Sequence, residues 1–256
     1  MVKLTFLGTG GSFGNPVLTC NCTSCVSPDP RDRRLRSSVL LEWEDQSILV
    51  DAGPDFRQQA LRVGLKRLDG VWFTHAHADH AGGVDDLRPF CFGGRVLPVL
   101  GLESVLSEIS RRFSYAFRAE ADPSGVSHPL LLKTPVDPDL PFQVAGKTVT
   151  LLPVPHGPFS VVGYRVGDLA YLTDLSELPE STLERLRGLD TLVISALRDA
   201  PHPTHLSLEQ ARDVALRVGA KKTYFTHFAH GRTHEELLGL FPETMTPAYD
   251  GLVIYA

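Results

Sequence analysis

Four side chains that commonly bind metal ions fall within the six-residue segment His75-Ala-His77-Ala-Asp79-His80. The segment follows an apolar run that is typical of a buried strand. In an extended chain residues i and i+2 face the same side, so His75 and His77 can bind one ion. A turn at Ala78 would direct Asp79 and His80 toward a neighbouring ion. The spacing therefore predicts a two-ion site, with a single ion bound by part of the cluster as the alternative.

Three further candidate ligands stand at the ends of other apolar runs. His156 follows the run 151–155, Asp174 follows 171–173, and His227 follows 224–226. Side chains that share one site at the edge of a sheet are expected to recur at strand ends in this way. Taken alone, each of them would be an ordinary loop residue.

A second cluster consists of three cysteines in Cys20-Asn-Cys22-Thr-Ser-Cys25. In a chain without an evident secretion signal, such crowding indicates metal binding before a disulfide. His230 lies three residues after the candidate ligand His227 and would complete a Cys3His set, which is typical of structural zinc. Free or redox-active thiols are the alternative.

The rest of the pattern predicts a mixed α/β chain that forms a single domain over 1–256, with a Cys-rich loop at about 8–36. The loop has little periodicity and needs a clamp or a ligand to be ordered. The remaining cysteine, Cys91, is expected to be packed in the core. Predicted strands cover 4–7, 38–43, 47–51, 70–74, 96–100, 148–154, 161–166, 170–173, 191–195, 223–226 and 252–255, and predicted helices cover 54–63, 84–89, 103–113, 179–186, 208–218 and 234–240.

The order of the histidine segment, His156, Asp174 and His227 resembles the metallo-β-lactamase superfamily over essentially the whole chain. The resemblance implies an αββα sandwich, in which two packed mixed sheets are flanked by helices and the site lies at one edge. It also implies that Asp174 bridges two ions. The implied ligands are His75, His77 and His156 for the first ion and Asp79, His80 and His227 for the second.

Asp51 matches the buried aspartate that orients the histidine segment in this superfamily, a supporting role common beside metal ligands. A turn or helix-cap role before Pro54 is an equal alternative. Two divalent ions, zinc or manganese, bridged by Asp174 can hold a hydroxide between them and bind the oxygens of a transition state. A redox use generally needs a carboxylate where this chain has Ala78, so hydrolysis is expected.

The segment His202-Pro-Thr-His205-Leu-Ser207 narrows the reaction. Ser207 and Gln210 form a capping-box pattern, which places His205 just ahead of a helix. The phosphodiesterase branch of the superfamily resembles this arrangement, and there the matching histidine contacts the scissile phosphate or protonates the leaving oxygen. The expected catalytic residues are thus His205, Asp174 and Asp79. A surface histidine before a helix cap is the alternative for His205, and His202 is expected to have a surface or supporting role.

His205 together with the cysteine cluster is similar to the PhnP-type cyclic phosphodiesterases of the carbon–phosphorus lyase pathway. The resemblance implies two catalytic divalent ions, one structural zinc and a small substrate of the phosphoribosyl 1,2-cyclic phosphate or 2′,3′-cyclic nucleotide type. Arg198 or Arg232 would hold a remote phosphate. Because dimers are common in this superfamily, a homodimer is one expectation for its assembly.

Composition bears on the alternatives. With 43% hydrophobic and 21% charged residues and a net charge of −5, the chain can bury a core but has no overall positive field for RNA. The absence of a long apolar stretch predicts no membrane contact, and the N-terminal pattern predicts a cytoplasmic location. Three rivals stay open: a tRNA 3′-end-processing endonuclease using the basic run at 31–36, an ester or thioester hydrolase, and a non-catalytic metal-binding accessory protein of cofactor biosynthesis.

Overall fold

Two mixed β-sheets pack face to face in the computed structural model, which describes residues 1–117 and 127–256. The strands of the first sheet are β1 Lys3–Gly8, β2 Ser38–Trp43, β3 Gln46–Val50, β4 Gly70–Trp72, β5 Leu97–Gly101, β6 Leu131–Pro135 and β14 Val253–Tyr255. Those of the second are β7 Phe142–Val144, β8 Lys147–His156, β9 Phe159–Val166, β10 Leu169–Leu172, β11 Thr191–Ser195, β12 Lys222–Thr226 and β13 Met245–Pro247.

Both sheets are antiparallel at one side and parallel at the other. The first has the order β14-β1-β2-β3-β4-β5-β6, with parallel pairing from β3 onward. The second has the order β13-β12-β11-β10-β9-β8-β7, with parallel pairing from β10 to β13. Parallel strands end at the same sheet edge, so the residues that follow them are brought together there.

The described residues form seven α-helices, most of which cover the outer faces of the sandwich. They are α1 Thr23–Val26, α2 Phe56–Val63, α3 Ala78–Ala81, α4 Glu103–Arg112, α5 Glu180–Arg185, α6 Leu208–Val218 and α7 His234–Leu238, together with 3₁₀ segments Pro30–Asp32, Val84–Gly94 and Ser114–Phe117. The part of the chain described here contains no helix of the length and apolarity that a membrane span requires.

Three apolar layers make up the core. The middle layer, between the sheets, contains the fully buried rings of Trp72, Tyr164 and Tyr171. One outer layer joins the first sheet to α2 and α4, and the other joins the second sheet to α5, α6 and α7. Cys91 is buried in the first of these outer layers. The arrangement confirms the αββα sandwich expected from the sequence.

All eleven predicted strands are present, with ends that differ by a few residues. The predicted helix at 84–89 is wrong in type, because this stretch is the 3₁₀ segment Val84–Gly94, which contains Pro89 and the non-helical residues Phe92 and Gly93. Strands β6, β7 and β13 and the short helices α1 and α3 were not predicted. The capping box of α6 is confirmed, since Ser207 accepts from the Gln210 amide and the Gln210 side chain accepts from Ser207 N–H.

Candidate metal centre

The predicted ligands meet at one edge of the paired sheets. His75 and His77 follow β4, His156 is the last residue of β8, Asp174 lies just after β10, and His227 comes directly after β12. The potential ligand atoms of His75, His77, His156 and Asp174 all lie within 4.8 Å of one another. Those of Asp79, His80, Asp174 and His227 satisfy the same limit.

Asp174 belongs to both groups of ligands, and each of its two carboxylate oxygens faces one of the groups. Oδ2 lies 3.6 Å from Nε2 of His75 and 3.8 Å from Nε2 of His156. Oδ1 lies 3.4 Å from Nε2 of His80 and 3.0 Å from Nε2 of His227. A carboxylate in this position can bridge two cations.

Three buried imidazole Nε2 atoms of the centre have no hydrogen-bond partner and are therefore available to bind cations. Nε2 of His75, His80 and His227 is buried in each case without a hydrogen-bond partner, which is rare for polar atoms in folded proteins. Burial, and then the neighbouring His80, lowers the pKa of His75 well below its usual value. Because metal ligands must be deprotonated, a neutral imidazole suits this role. Imidazoles combined with carboxylates are a donor set for zinc or manganese.

The acidic ligands are ionised. Burial alone would raise the pKa of Asp174, but the imidazoles of His227 and His80 outweigh it and hold that pKa well below its usual range. For Asp79, burial is likewise outweighed, chiefly by His80, and the pKa is lowered. Two negative charges are thus held among five imidazoles at this edge.

Asp51 holds the histidine segment through hydrogen bonds to Thr74 and His80. It is fully buried and accepts from the amide and hydroxyl of Thr74, each at 2.8 Å, and from Nδ1 of His80 at 2.7 Å. The contact fixes the proton of His80 on Nδ1 and leaves Nε2 for a cation. Asp51 is therefore placed to orient His80, and it does not cap α2, because Asp55 occupies the position before that helix.

Threonines that the sequence analysis did not consider hold other ligands. Nδ1 of His75 donates to the Thr74 hydroxyl at 3.0 Å, and the Thr173 hydroxyl donates to Asp174 at 2.7 Å. Nδ1 of His156 donates to the carbonyl of Thr204 at 2.8 Å. A local signal existed, because a threonine immediately precedes His75 and Asp174.

Gly53 and Gly83 allow close contact between backbone segments at the candidate metal centre. Gly53 lies against the backbone of the histidine segment, and Gly83 lies against the backbone of Gly53. A Cβ at Gly53 would lie 2.1 Å from the carbonyl oxygen of Asp79. A Cβ at Gly83 would lie 2.0 Å from the carbonyl oxygen of Gly53. Neither position has room for a side chain.

His205 packs against ligands of both groups. Its ring lies 4.6 Å from that of His156, edge to face, and 5.1 Å from that of His227, nearly parallel. Burial, and then the adjacent His227, lowers the pKa of His205 to about 3. The surface alternative does not fit, because only 8% of His205 is exposed. His202 lies 5.0 Å from His205, ring to ring, and accepts at Nδ1 from the Thr204 amide.

The cysteine cluster and His230 also come together, although about two hundred residues separate them. Nδ1 of His230 lies 3.3 Å from Sγ of Cys20 and 3.4 Å from Sγ of Cys22, and all four ligand atoms lie within 4.8 Å of one another. None of these three cysteines forms a disulfide. A hydrogen bond from Ser24 is the main cause that lowers the pKa of Cys22 to about 5, which favours the thiolate that zinc binds.

The basic run at 31–36 is only partly exposed to solvent. Arg34 is only 3% exposed and donates to the Thr9 hydroxyl at 2.8 Å and to the Ala248 carbonyl at 2.6 Å. Arg31 pairs with Asp29 at 2.7 Å and Arg36 with Asp55 at 3.0 Å. The run clamps the Cys-rich loop, so the expectation of a solvated or RNA-contacting surface is wrong for Arg34.

The two arginines considered for a remote phosphate differ. Arg232 is paired with Asp199 at 2.8 Å. Arg198 makes long contacts of 3.3 and 3.4 Å to the carbonyls of Ala200 and Pro201, and it lines a pocket next to His205. Arg198 is the better placed of the two to contact an anion.

Known proteins resemble this chain over most of its length. A family model described as a beta-lactamase superfamily domain matches residues 46–228. The crystal structure of a diphosphatase from the PhnP family is 40% identical, with 99% of this chain and 96% of that one covered and a TM-score of 0.91. Ribonuclease Z of Mycobacterium avium is 26% identical over 89% of this chain and 86% of that protein.

An octanoyltransferase of Porphyromonas gingivalis is 40% identical over 98% of this chain, but the match spans 51% of that protein. The chain therefore has about half the length of this relative. This chain has the two-sheet architecture, matches the family model over more than half of its length and is 40% identical to the diphosphatase. The chain belongs to the metallo-β-lactamase superfamily of hydrolases, and within it to the PhnP family.

Proposed function

We propose that the chain is a dinuclear-metal phosphodiesterase that hydrolyses a small cyclic phosphate, of the phosphoribosyl 1,2-cyclic phosphate or 2′,3′-cyclic nucleotide type. The observation that carries this proposal is the packing of His205 against His156 and His227. A histidine in this position adds a hydrogen-bond donor beside both ligand groups. In the hydrolysis of a phosphodiester the departing sugar oxygen develops negative charge, and such a donor stabilises it.

Two divalent ions, when bound, supply Lewis acidity and an activated water for attack at phosphorus. The protein's part is to hold and orient. Asp174 sets the separation of the two ligand groups, and Asp79 contributes negative charge to the second. His205, kept neutral by burial, donates an N–H to a phosphoryl or leaving oxygen. The Cys3His cluster would hold a structural zinc that orders the loop beside this centre.

The name of one relative favours a second candidate. The PhnP-family structure at 40% identity is called a diphosphatase, so a phosphoric anhydride is a rival substrate for the same centre. Endonuclease activity on tRNA has less support, because Arg34 is buried and both Arg31 and Arg36 are paired with carboxylates. These contacts leave Arg33 as the one exposed arginine among the four at 31–36.

The test compares four substrates with metal-reconstituted protein: bis(p-nitrophenyl) phosphate, 2′,3′-cyclic AMP, ADP-ribose and a precursor tRNA. We expect both diesters to be cut, and His205→Ala to lower kcat by roughly 10²- to 10³-fold, the usual effect of removing one hydrogen-bond donor to a developing negative charge. His128→Ala, which changes a histidine outside the centre, is the matched control. Exclusive cleavage of ADP-ribose would favour the anhydride, and exclusive tRNA cleavage the endonuclease.

Chelation separates an enzyme from a binding protein. Activity should vanish with EDTA and return with zinc or manganese. A protein that binds metal at these residues but hydrolyses none of the four substrates would support the accessory role instead.

A further inference from the structure

A pocket beside His205 has no assigned role. It has a volume of 280 Å³, and its apolar walls include Phe13, Val17, Leu197 and Phe228. His205 itself lines the pocket, so the pocket lies next to the candidate metal centre. The volume is close to the lower end of the range for small-molecule sites, about 300 Å³, and suits one ring system.

The metal centre is flanked by a second pocket of different chemistry. This one has a volume of 360 Å³ and is lined by His77, Phe159, Arg112 and Glu108, among others. Arg112 pairs with Glu108 at 2.7 Å, and the ring of Phe159 packs edge-on against that of His77 at 4.9 Å. The charged groups and the aromatic ring of this pocket therefore already have partners within the chain.

Phe13 in the first pocket differs from Phe159 in this respect. It is 75% exposed, and the contacts of the described residues include no aromatic partner for its ring. Small-molecule sites are lined mainly by hydrophobic and aromatic side chains, so an exposed ring on the wall of a pocket beside an active centre is a candidate contact for a ligand. A planar group that enters the pocket would cover this ring, while Arg198 at the same pocket offers a guanidinium that stacks on aromatic faces or binds an anion.

We infer that this pocket binds the sugar side of the substrate and selects a planar apolar substituent of the nucleobase class, with Phe13 as a specificity-determining residue. The inference rests on the proposed function, because it concerns the group attached to the departing oxygen. In the reaction, the oxygen of a water molecule adds to phosphorus, one ring P–O ester bond breaks, and the departing sugar oxygen takes up the proton that this water releases. The base does not react and contributes only binding.

The test uses two substrates that share the bond that breaks. One is 2′,3′-cyclic AMP, and the other is methyl β-ribofuranoside 2,3-cyclic phosphate, which has a methoxy group in place of the base. Stacking of a base on an aromatic side chain corresponds to about a tenfold preference or more. We therefore expect kcat/KM to be about tenfold higher for the nucleotide, with the difference in KM.

Variants assign the preference to one pocket. Phe13→Ala should bring the two substrates close to parity while it hydrolyses the methyl riboside at the wild-type rate, and Phe13→Tyr should retain the preference. Phe159→Ala, in the opposite pocket, should keep the ratio of the two kcat/KM values, and Phe92→Ala, which is 55% exposed and lines neither pocket, should behave as wild type.

Equal kcat/KM values in the wild type, a preference that survives Phe13→Ala, or one that Phe159→Ala abolishes would overturn the subsite while the proposed function stands. A stronger preference for the methyl riboside carrying a 5-phosphate would overturn it too, since the pocket would then select an anion. Failure to hydrolyse either compound would overturn the proposed function and the subsite together.

Discussion

The guanidinium of Arg34 lies 3.0 Å from Nδ1 of His234, across 200 residues of sequence. Because a guanidinium only donates, the imidazole accepts and is neutral. The carboxylate of Asp32 accepts from the backbone amide of His234 at 2.6 Å. Arg34 also covers the ring of Phe228, the neighbour of His227, at 4.8 Å. One buried arginine thus joins the Cys-rich loop to the segment that carries His227 and His230.

Removing this charge should destabilise the protein. Arg34→Met leaves the Thr9 hydroxyl, the Ala248 carbonyl and Nδ1 of His234 without their donor, and we expect a loss of about 3 kcal/mol in the free energy of unfolding. Zinc should also be lost more readily from the cysteine cluster. Urea denaturation measures the first effect and elemental analysis after dialysis the second. Arg33→Met, at an exposed neighbour, is the control. A loss no larger than that of the control would contradict the clamp.

His234 gives a pH dependence. Burial, then Arg34 and Arg31, lowers its pKa to about 4, against the opposing charges of Asp29 and Asp32. An unfolded histidine titrates near pH 6.5, so between these values the unfolded chain binds a proton that the folded chain does not. The stability contributed by the neutral ring is therefore present above about pH 6.5 and is lost as the pH falls toward 4.

The measurement compares wild type with His234→Gln, whose side-chain oxygen can still accept from Arg34. Between pH 7 and pH 5 the wild type should lose about 2 kcal/mol more unfolding free energy than the variant. His128→Gln should retain the wild-type pH dependence. Parallel curves for wild type and His234→Gln would show that His234 does not titrate in this range.

Asp51 should act through His80. Asp51→Ala removes the acceptor of Nδ1 and frees the ring to turn, so we expect metal affinity or kcat to fall by roughly 10- to 100-fold, as for other residues that support metal ligands. Asp45→Ala, at an exposed turn, should have no such effect. Isothermal titration of the apo-protein with zinc gives the affinity. Unchanged zinc binding and kcat in Asp51→Ala would mean that His80 is held by other contacts.

The cysteine cluster predicts a metal count. Cys22→Ser should reduce the zinc bound per chain by one ion relative to wild type, whereas Cys91→Ser should not, because Cys91 lies in the apolar core. Thiol titration under native conditions gives an independent readout. Metal-bound cysteines should react only after chelator is added. Equal zinc content in both variants would show that the cluster is a set of free thiols.

The candidate ligands could be predicted from the sequence for two reasons. Four of them lie within the six residues 75–80, and the other three each follow an apolar run that predicts a strand. The missed strands lie in weak patterns: β7 and β13 have three residues each, and β6 has one buried residue in five. Helices α1 and α3 span four residues, about one turn, which is too short for a helical period to show. Such elements are fixed by neighbours that the local sequence does not reveal.

The basic run shows a different limit. Four arginines and an aspartate within 31–36 have the composition of a solvated segment. Arg34 is buried because it contacts Thr9, Ala248 and His234. Of these, Ala248 is 214 residues away in the sequence and His234 is 200 residues away. The role of Phe13 also depends on a pocket formed by distant segments. Composition describes the average environment of a run and not that of a single member.

The contact between Gly53, Gly83 and the histidine segment has a consequence for how this protein can change over time. The contacts at Gly53 and Gly83 are between backbone atoms. The position of the histidine segment therefore cannot be adjusted by exchanging one side chain for a slightly larger or smaller one. Substitution at either glycine can only displace the segment. We therefore expect adaptation to new substrates to act on the walls of the flanking pockets, as at Phe13 and Arg198, where side chains can be varied without displacing the histidine segment.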